Sequence, residues 1–127
     1  MPDTSSLRGL CILAVEDESL VAMQLEDILS DLGCEIAGSA MRVEHALAML
    51  NDGRRIDAAV LDMNVAGVKV YPVAGRLREL HVPFIFATGY GVNGIEPEWR
   101  DHPILQKPYT TDQIEQALQE ALRARKT

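Results

Sequence analysis

Residues 10–17 read LCILAVED, an unbroken apolar run that ends in two adjacent carboxylates. Apolar runs without alternation are typical of strands that are covered on both faces, as in a parallel sheet. Two more runs have this character, AAVL at residues 58–61 and FIFA at residues 84–87. Together with residues 10–15, they predict three central strands.

Two weaker runs lie between and after these strands. CEIA at residues 34–37 and ILQ at residues 104–106 are shorter or less apolar, and each carries a polar residue. Edge strands pack against less of the fold than central strands, so they tolerate this composition. We therefore predict that these two runs form the edges of the sheet.

Between the runs, apolar residues recur with the period of an α-helix. The pattern predicts four amphipathic helices, within residues 21–32, 43–50, 70–80 and 114–122. Thr110 followed by Gln113 fits a capping box at the start of the last helix. The segment 89–103, GYGVNGIEPEWRDHP, holds three glycines and two prolines. These residues disfavour a regular helix, so we expect a short, irregular or mobile one.

The repeated order of strand and helix predicts an α/β fold with five strands and five connecting segments. Right-handed crossovers then build a doubly wound parallel sheet. The flavodoxin-like strand order 2-1-3-4-5 places the apolar runs centrally and the weak runs at the edges. We expect a single domain over residues 1–127, with its core at about residues 8–123, and no output domain.

Composition excludes several classes of function. The chain has 12 Lys and Arg against 19 Asp and Glu, a formal net charge of −7, with a pI near 4.8. Such a chain has no broad positive surface, so direct nucleic-acid binding is not expected. No apolar stretch approaches the roughly 20 residues of a membrane span, and residues 1–9 lack the features of a signal peptide. We therefore expect a cytoplasmic protein.

Polar residues cluster where the predicted strands end. Glu16 and Asp17 follow the first strand, Asp62 the third, Thr88 the fourth and Lys107 the fifth. In doubly wound sheets, ligands bind outside the carboxyl ends of the strands. We therefore expect these five residues to meet in one crevice.

Three carboxylates in one crevice repel one another and need a cation to remain ionised. Oxygen ligands favour Mg²⁺ (or Mn²⁺) at Glu16, Asp17 and Asp62. A carboxylate beside such a metal can attack phosphorus and form an aspartyl phosphate. Thr88 and Lys107 supply a hydroxyl donor and a positive charge for the phosphoryl group.

Each residue also has an ordinary structural interpretation. Glu16 or Asp17 alone is compatible with a helix cap, and Asp62 alone with a turn. Lys107 alone is compatible with a solvated loop, and Thr88 alone with a strand-end cap. Their convergence from four parts of the chain favours one site over five separate explanations.

The chain resembles the response-regulator receiver domain over essentially residues 10–122. The resemblance rests on VED at residues 15–17, LDMN at residues 61–64, Thr88 and KPY at residues 107–109. It implies that Asp62 accepts a phosphoryl group from a histidine kinase or a phosphotransfer protein.

The resemblance also implies the roles of the other site residues. Glu16, Asp17 and Asp62 would bind Mg²⁺ together with the main-chain carbonyl of Asn64. Thr88 and Lys107 would contact the bound phosphoryl group, and the bond between Lys107 and Pro108 would be cis.

The chain departs from the usual receiver pattern at three places. It lacks the Met-Pro that commonly follows the acceptor strand, and Ile104 stands where a switch aromatic is expected. FATGYG at residues 86–91 resembles a mostly stand-alone subgroup of alphaproteobacterial receivers, sometimes called FATGUY, which is associated with HWE and HisKA2 kinases. Tyr90 or the glycine-rich segment would then replace the switch aromatic.

The preferred function is a single-domain response regulator in two-component signal transduction. It would not be an enzyme beyond slow self-dephosphorylation, and it would act on a protein partner or as a phosphate shuttle or sink. One alternative is a Mg²⁺-dependent phosphatase with an aspartyl nucleophile, although position 64 is Asn where haloacid-dehalogenase phosphatases carry an acid/base Asp. Another is a pseudo-receiver that binds partners without phosphorylation.

Overall fold

All five predicted strands form in the computed structural model, which describes residues 7–89 and 91–125. The central strands are β1 (Cys11–Val15), β3 (Ala58–Asp62) and β6 (Phe84–Thr88), and the edge strands are β2 (Glu35–Ala40) and β7 (Ile104–Gln106). A short hairpin comprises β4 (Asn64–Val65) and β5 (Val68–Lys69). The helices are α1 (Ser19–Asp31), α2 (Val43–Leu50), α3 (Tyr71–Glu79) and α4 (Thr111–Arg125).

The main sheet has the order β2-β1-β3-β6-β7, and all its neighbouring strands are parallel. This is the predicted order 2-1-3-4-5, because β4 and β5 pair with each other in a separate antiparallel sheet. The doubly wound α/β fold and the positions of the edge strands are confirmed.

Strand β2 extends beyond its predicted range of residues 34–37. Ile12 pairs with Ile36 and Leu13 with Gly38, so Ala37 is an extra residue in the register. A side chain at Gly38 would meet Met49 Sδ at 2.7 Å and Arg54 Nη1 at 2.8 Å. Glycine therefore allows Met49 and Arg54 to pack closely over this edge.

Buried side chains pack on both faces of the sheet. Alternate residues of β3 show the division, because Ala59 and Leu61 join a cluster with α2 and α3, whereas Ala58 and Val60 join a cluster with α1 and α4. Successive side chains of a strand point to opposite faces. A strand between two helical layers is therefore apolar at every position, as the runs without alternation predicted.

No α-helix forms within residues 91–103, which confirms the prediction of an irregular fourth connection. Two short 3-10 helices, Gly91–Gly94 and Pro97–Trp99, occupy this region. Trp99 is buried and stacks on Tyr71 with 5.6 Å between ring centroids. The Tyr71 hydroxyl accepts a hydrogen bond from the Glu96 N–H at 2.7 Å. Aromatic contacts with α3 therefore hold this segment, and Tyr90 lies outside the described residues.

Local signals near the carboxyl terminus are confirmed. Thr110 and Gln113 exchange two hydrogen bonds, of 2.8 and 3.2 Å, as a capping box requires. The bond between Lys107 and Pro108 is cis. Among the helices of the described residues, none has the length and apolarity to cross a membrane.

A matched pair of leucines tests the assignment of the core. Leu13 is fully buried, whereas Leu20 is 76% exposed. Leu13→Ala should lower the free energy of unfolding by about 2–5 kcal/mol because it leaves a cavity. Leu20→Ala should change it by less than about 0.5 kcal/mol. Urea unfolding followed by circular dichroism measures both values, and equal losses would contradict the assignment.

Candidate functional site

The predicted site residues lie at the carboxyl edge of the sheet. Asp62 and Thr88 are the last residues of β3 and β6, whereas Glu16 and Lys107 directly follow β1 and β7. Main-chain hydrogen bonds continue beyond the strands, from Glu16 N–H to the Ala40 carbonyl at 3.0 Å and from Lys107 N–H to the Thr88 carbonyl at 2.9 Å. The parallel sheet therefore brings distant parts of the chain together.

The three carboxylates form one cluster. Glu16, Asp17 and Asp62 each offer an oxygen, and these oxygens lie within 4.8 Å of one another. Lys107 Nζ lies 2.9 Å from Glu16 Oε1 and 2.9 Å from Asp62 Oδ1. The predicted convergence of these four residues is thus present.

Burial and the charges within this cluster shift the pKa values of Asp62 and Lys107. Burial raises the pKa of Asp62 to about 6, and the carboxylates of Glu16 and Asp17 add to this effect. The hydrogen bond and charge of Lys107 act in the opposite direction. Burial disfavours the charged form of Lys107, but its hydrogen bonds to Asp62 and Glu16 raise its pKa overall.

Asp17 is held by a group that the sequence did not reveal. The main-chain N–H of Ala66 donates a hydrogen bond of 2.9 Å to Asp17 Oδ2. Burial opposes ionisation of Asp17, but hydrogen bonds, first that of Ala66, lower its pKa. A main-chain donor has no signal in the side-chain pattern, so Ala66 was missed.

The interpretation of Glu16 as a helix cap is not supported. The residue that caps α1 is Glu18, and its side chain makes no capping hydrogen bond. Glu16 Oε2 instead accepts the Glu18 N–H at 3.1 Å, and its Oε1 faces Lys107. Glu16 is only 3% exposed, so its carboxylate belongs to the interior of the site.

The donor set suits a divalent cation. The cluster has three carboxylates, and one ammonium group, that of Lys107, contacts two of them, which leaves excess negative charge when all three are ionised. Carboxylate oxygens are the ligands that Mg²⁺ prefers. The cluster therefore fits the predicted ion, with Glu16, Asp17 and Asp62 as the residues that would bind it.

Asn64 follows β3 and Thr88 ends β6, two adjacent strands of the sheet. Asn64 lies two residues after Asp62, in β4, and its carbonyl remains a predicted ligand. Thr88 is buried at the end of β6. Tyr109 lies close enough to the site to be affected by its charge. Burial, and to a smaller extent the charge of Glu16, raises the pKa of Tyr109 to about 12.

The raised pKa of Asp62 predicts a pH dependence in the cation-free protein. Between about pH 4 and pH 6, the folded state binds more protons at Asp62 than the unfolded chain does. The stability that protonation of Asp62 contributes is therefore lost as the pH rises through this range. With EDTA present, Asp62→Asn should exceed the wild type in unfolding free energy by about 1–3 kcal/mol at about pH 7.5.

Urea unfolding at about pH 4 and pH 7.5 measures this difference, which should disappear at the lower pH. The exposed substitution Glu98→Gln serves as a control and should change stability by less than about 0.5 kcal/mol at either pH. A difference between wild type and Asp62→Asn that is independent of pH would contradict the assignment.

Comparison with known proteins agrees with this fold. The sequence model of the response regulator receiver domain family matches residues 12–119. The solution structure of SdrG from Sphingomonas melonis Fr1 is 45% identical, covers 92% of this chain and 98% of that chain, and has a TM-score of 0.81. The BeF3-activated conformation of SdrG from Pseudomonas melonis Fr1 is 42% identical, covers 94% and 99%, and has a TM-score of 0.77.

A curated relative is the phyllosphere-induced regulator PhyR of Methylorubrum extorquens. It is 29% identical over 115 residues, which make up 87% of this chain and 43% of that protein. The chain therefore spans less than half the length of this relative. The similarities to SdrG and PhyR confirm the resemblance to alphaproteobacterial receivers, and the match over residues 12–119 shows that this chain belongs to the response regulator receiver domain family.

Proposed function

We propose that this receiver is a phosphorylatable signalling module in which Asp62 accepts a phosphoryl group. The observation that carries the proposal is the position of Asp62 Oδ1, 2.9 Å from Lys107 Nζ and within a cluster of three carboxylates. Asp62 has a pKa of about 6, so it is mostly ionised and nucleophilic at neutral pH. The donor is a phosphohistidine of a kinase, of HWE or HisKA2 type, or of a phosphotransfer protein.

The transfer forms one bond and breaks another. A carboxylate oxygen of Asp62 attacks phosphorus, the bond between phosphorus and the donor histidine nitrogen breaks, and the histidine keeps the electron pair. The product is an aspartyl phosphate. Bound Mg²⁺ supplies positive charge for the phosphoryl oxygens, and Glu16, Asp17, Asp62 and the Asn64 carbonyl would hold it.

Lys107 and Thr88 act on the phosphoryl group once it is attached. Lys107 exchanges its contact with an Asp62 oxygen for a phosphoryl oxygen, and the Thr88 hydroxyl donates a hydrogen bond. Both residues move toward the new oxygens, and this movement orders residues 91–103. New charge-assisted contacts can shift such an irregular segment between two states.

The output of this switch is a protein contact rather than a chemical product. The domain is a phospho-acceptor with at most slow self-dephosphorylation, and it acts in the cytoplasm on a partner protein or as a phosphate shuttle or sink. The similarity to SdrG, of which a BeF3-activated conformation has been solved, supports a second, activated conformation of this domain. The similarity to the regulator PhyR also supports a role in regulation.

Chemical phosphorylation tests the acceptor directly. With Mg²⁺ and acetyl phosphate, the wild type should gain the mass of one acid-labile phosphoryl group, whereas Asp62→Asn should gain none. Asp52→Asn, at an exposed aspartate paired with Arg54, is the matched control and should be phosphorylated like the wild type. Intact mass spectrometry reads the result. A failure with acetyl phosphate and with phosphorylated kinases would contradict the proposal and favour a pseudo-receiver.

A phosphoryl mimic tests the switch. Beryllofluoride with Mg²⁺ should shift the backbone amide resonances of residues 91–103 and slow their hydrogen exchange. The amides of α2 serve as an internal control and should change little. A segment that is equally rigid in both states, with unshifted resonances, would contradict the proposed switch.

A further inference from the structure

The three carboxylates of the acidic cluster are held by two kinds of interaction, ion pairs with a lysine and a hydrogen bond from the main chain. Lys107 Nζ contacts both Glu16 and Asp62 at 2.9 Å. Asp17 Oδ2 instead accepts the main-chain N–H of Ala66 at 2.9 Å, across a separation of 49 residues in the chain. The position of Asp17 therefore depends on the segment that contains Ala66.

Ala66 lies in the turn of the hairpin formed by β4 and β5. Its φ is +52°, and that of Gly67 is +83°, so both turn residues are left-handed. A residue other than glycine is uncommon in this conformation and persists where the surrounding structure determines it. Here the surrounding structure includes Val65, which is fully buried, and the Val70 N–H, which donates to the Met63 carbonyl at 2.9 Å.

The left-handed turn directs the Ala66 N–H at Asp17. Lys107 contacts Glu16 and Asp62, whereas Asp17 is the most exposed of the three carboxylates, so a local hydrogen bond is needed to keep it from turning toward solvent. A carboxylate has about four acceptor positions on its two oxygens. One hydrogen bond from Ala66 therefore leaves Asp17 free to bind a cation.

We propose that Ala66 is a positioning residue, whose main-chain N–H holds Asp17 in the acidic cluster and thereby links the conformation of the hairpin to the binding of a divalent cation. The inference deepens the proposed function, because it concerns the metal ligands of the same site. It adds the turn of the hairpin to the cation site, beside the Asn64 carbonyl of β4 that is a predicted ligand.

Two substitutions of Ala66 separate the effect of the left-handed backbone conformation from the effect of changing the side chain. Ala66 is exposed, so a larger side chain meets no packing barrier there. Valine strongly disfavours a left-handed conformation, whereas glycine adopts it without cost and keeps the N–H. Ala66→Val should raise the Mg²⁺ dissociation constant about 10-fold, as is usual when a partner of a metal ligand is disturbed. Ala66→Gly should bind Mg²⁺ within about 2-fold of the wild type.

Calorimetric titration with Mg²⁺ alone measures these constants, and Val68→Ala, at an exposed position of the same hairpin, should behave like the wild type. Urea unfolding establishes that each variant is folded. Equal Mg²⁺ affinity in Ala66→Val and the wild type would overturn the inference, as would the absence of Mg²⁺ binding to the wild type.

Hydrogen exchange tests the bond without altering the hairpin. In Asp17→Ala, the Ala66 amide should exchange about 10-fold faster than in the wild type, because its acceptor is gone. The Val70 amide, which donates to Met63, should keep its rate. Unchanged exchange at Ala66 would overturn the inference even if Ala66→Val does not fold.

The outcomes distinguish this inference from the proposed function. If Mg²⁺ binding depends on Ala66 but Asp62 is never phosphorylated, the proposed function alone fails. Suppose that Asp62 is phosphorylated normally, that Ala66→Val leaves the Mg²⁺ affinity unchanged, and that Asp17→Ala leaves hydrogen exchange at the Ala66 amide unchanged. The inference alone then fails.

Discussion

The site depends on the repulsion among three carboxylates that the fold places at one sheet edge. Oxygens of Glu16, Asp17 and Asp62 lie within 4.8 Å of one another, and Lys107 supplies one positive charge between two of them. Burial, together with the charges of Glu16 and Asp17, raises the pKa of Asp62 to about 6, and the excess negative charge suits a divalent cation. The same excess charge is the physical basis of the proposed cation site and of the proposed acceptance of a phosphoryl group.

The sheet tolerates this concentration of charge because its central strands are apolar and covered over the rest of their length. The strands β1, β3 and β6 are buried nearly throughout, and helices pack on both faces. Burial of strand residues stabilises the fold by about 25 cal/mol per Å² of apolar surface. The polar side chains of the site therefore lie at the strand ends, where main-chain hydrogen bonds and Lys107 hold them. The less regular region, residues 91–103, packs on α3 through the stacking of Trp99 on Tyr71.

Much of this arrangement was predictable from the pattern of side chains. Apolar runs without alternation predicted β1, β3 and β6, since a strand between two layers has no solvent face. The positions of Glu16 and Asp62 after such runs, and of Lys107 after the weaker run at residues 104–106, then predicted a shared site. The hairpin of β4 and β5 was not predicted. Its turn contains Ala66, which rarely adopts a positive φ, and two-residue strands leave no periodic signal.

By itself, the sequence determined the parallel sheet, its strand order and the set of residues at its carboxyl edge. These follow from local composition and from the handedness of crossovers, which restrict the possible arrangements to a few. Only the tertiary structure decided which carboxylates share Lys107 and which one receives a hydrogen bond from Ala66. Those contacts join residues far apart in the chain, and one of them uses a main-chain group that every residue except proline carries. The physical reason is that distances of a few ångströms between charges are set by packing, which the order of side chains does not encode directly.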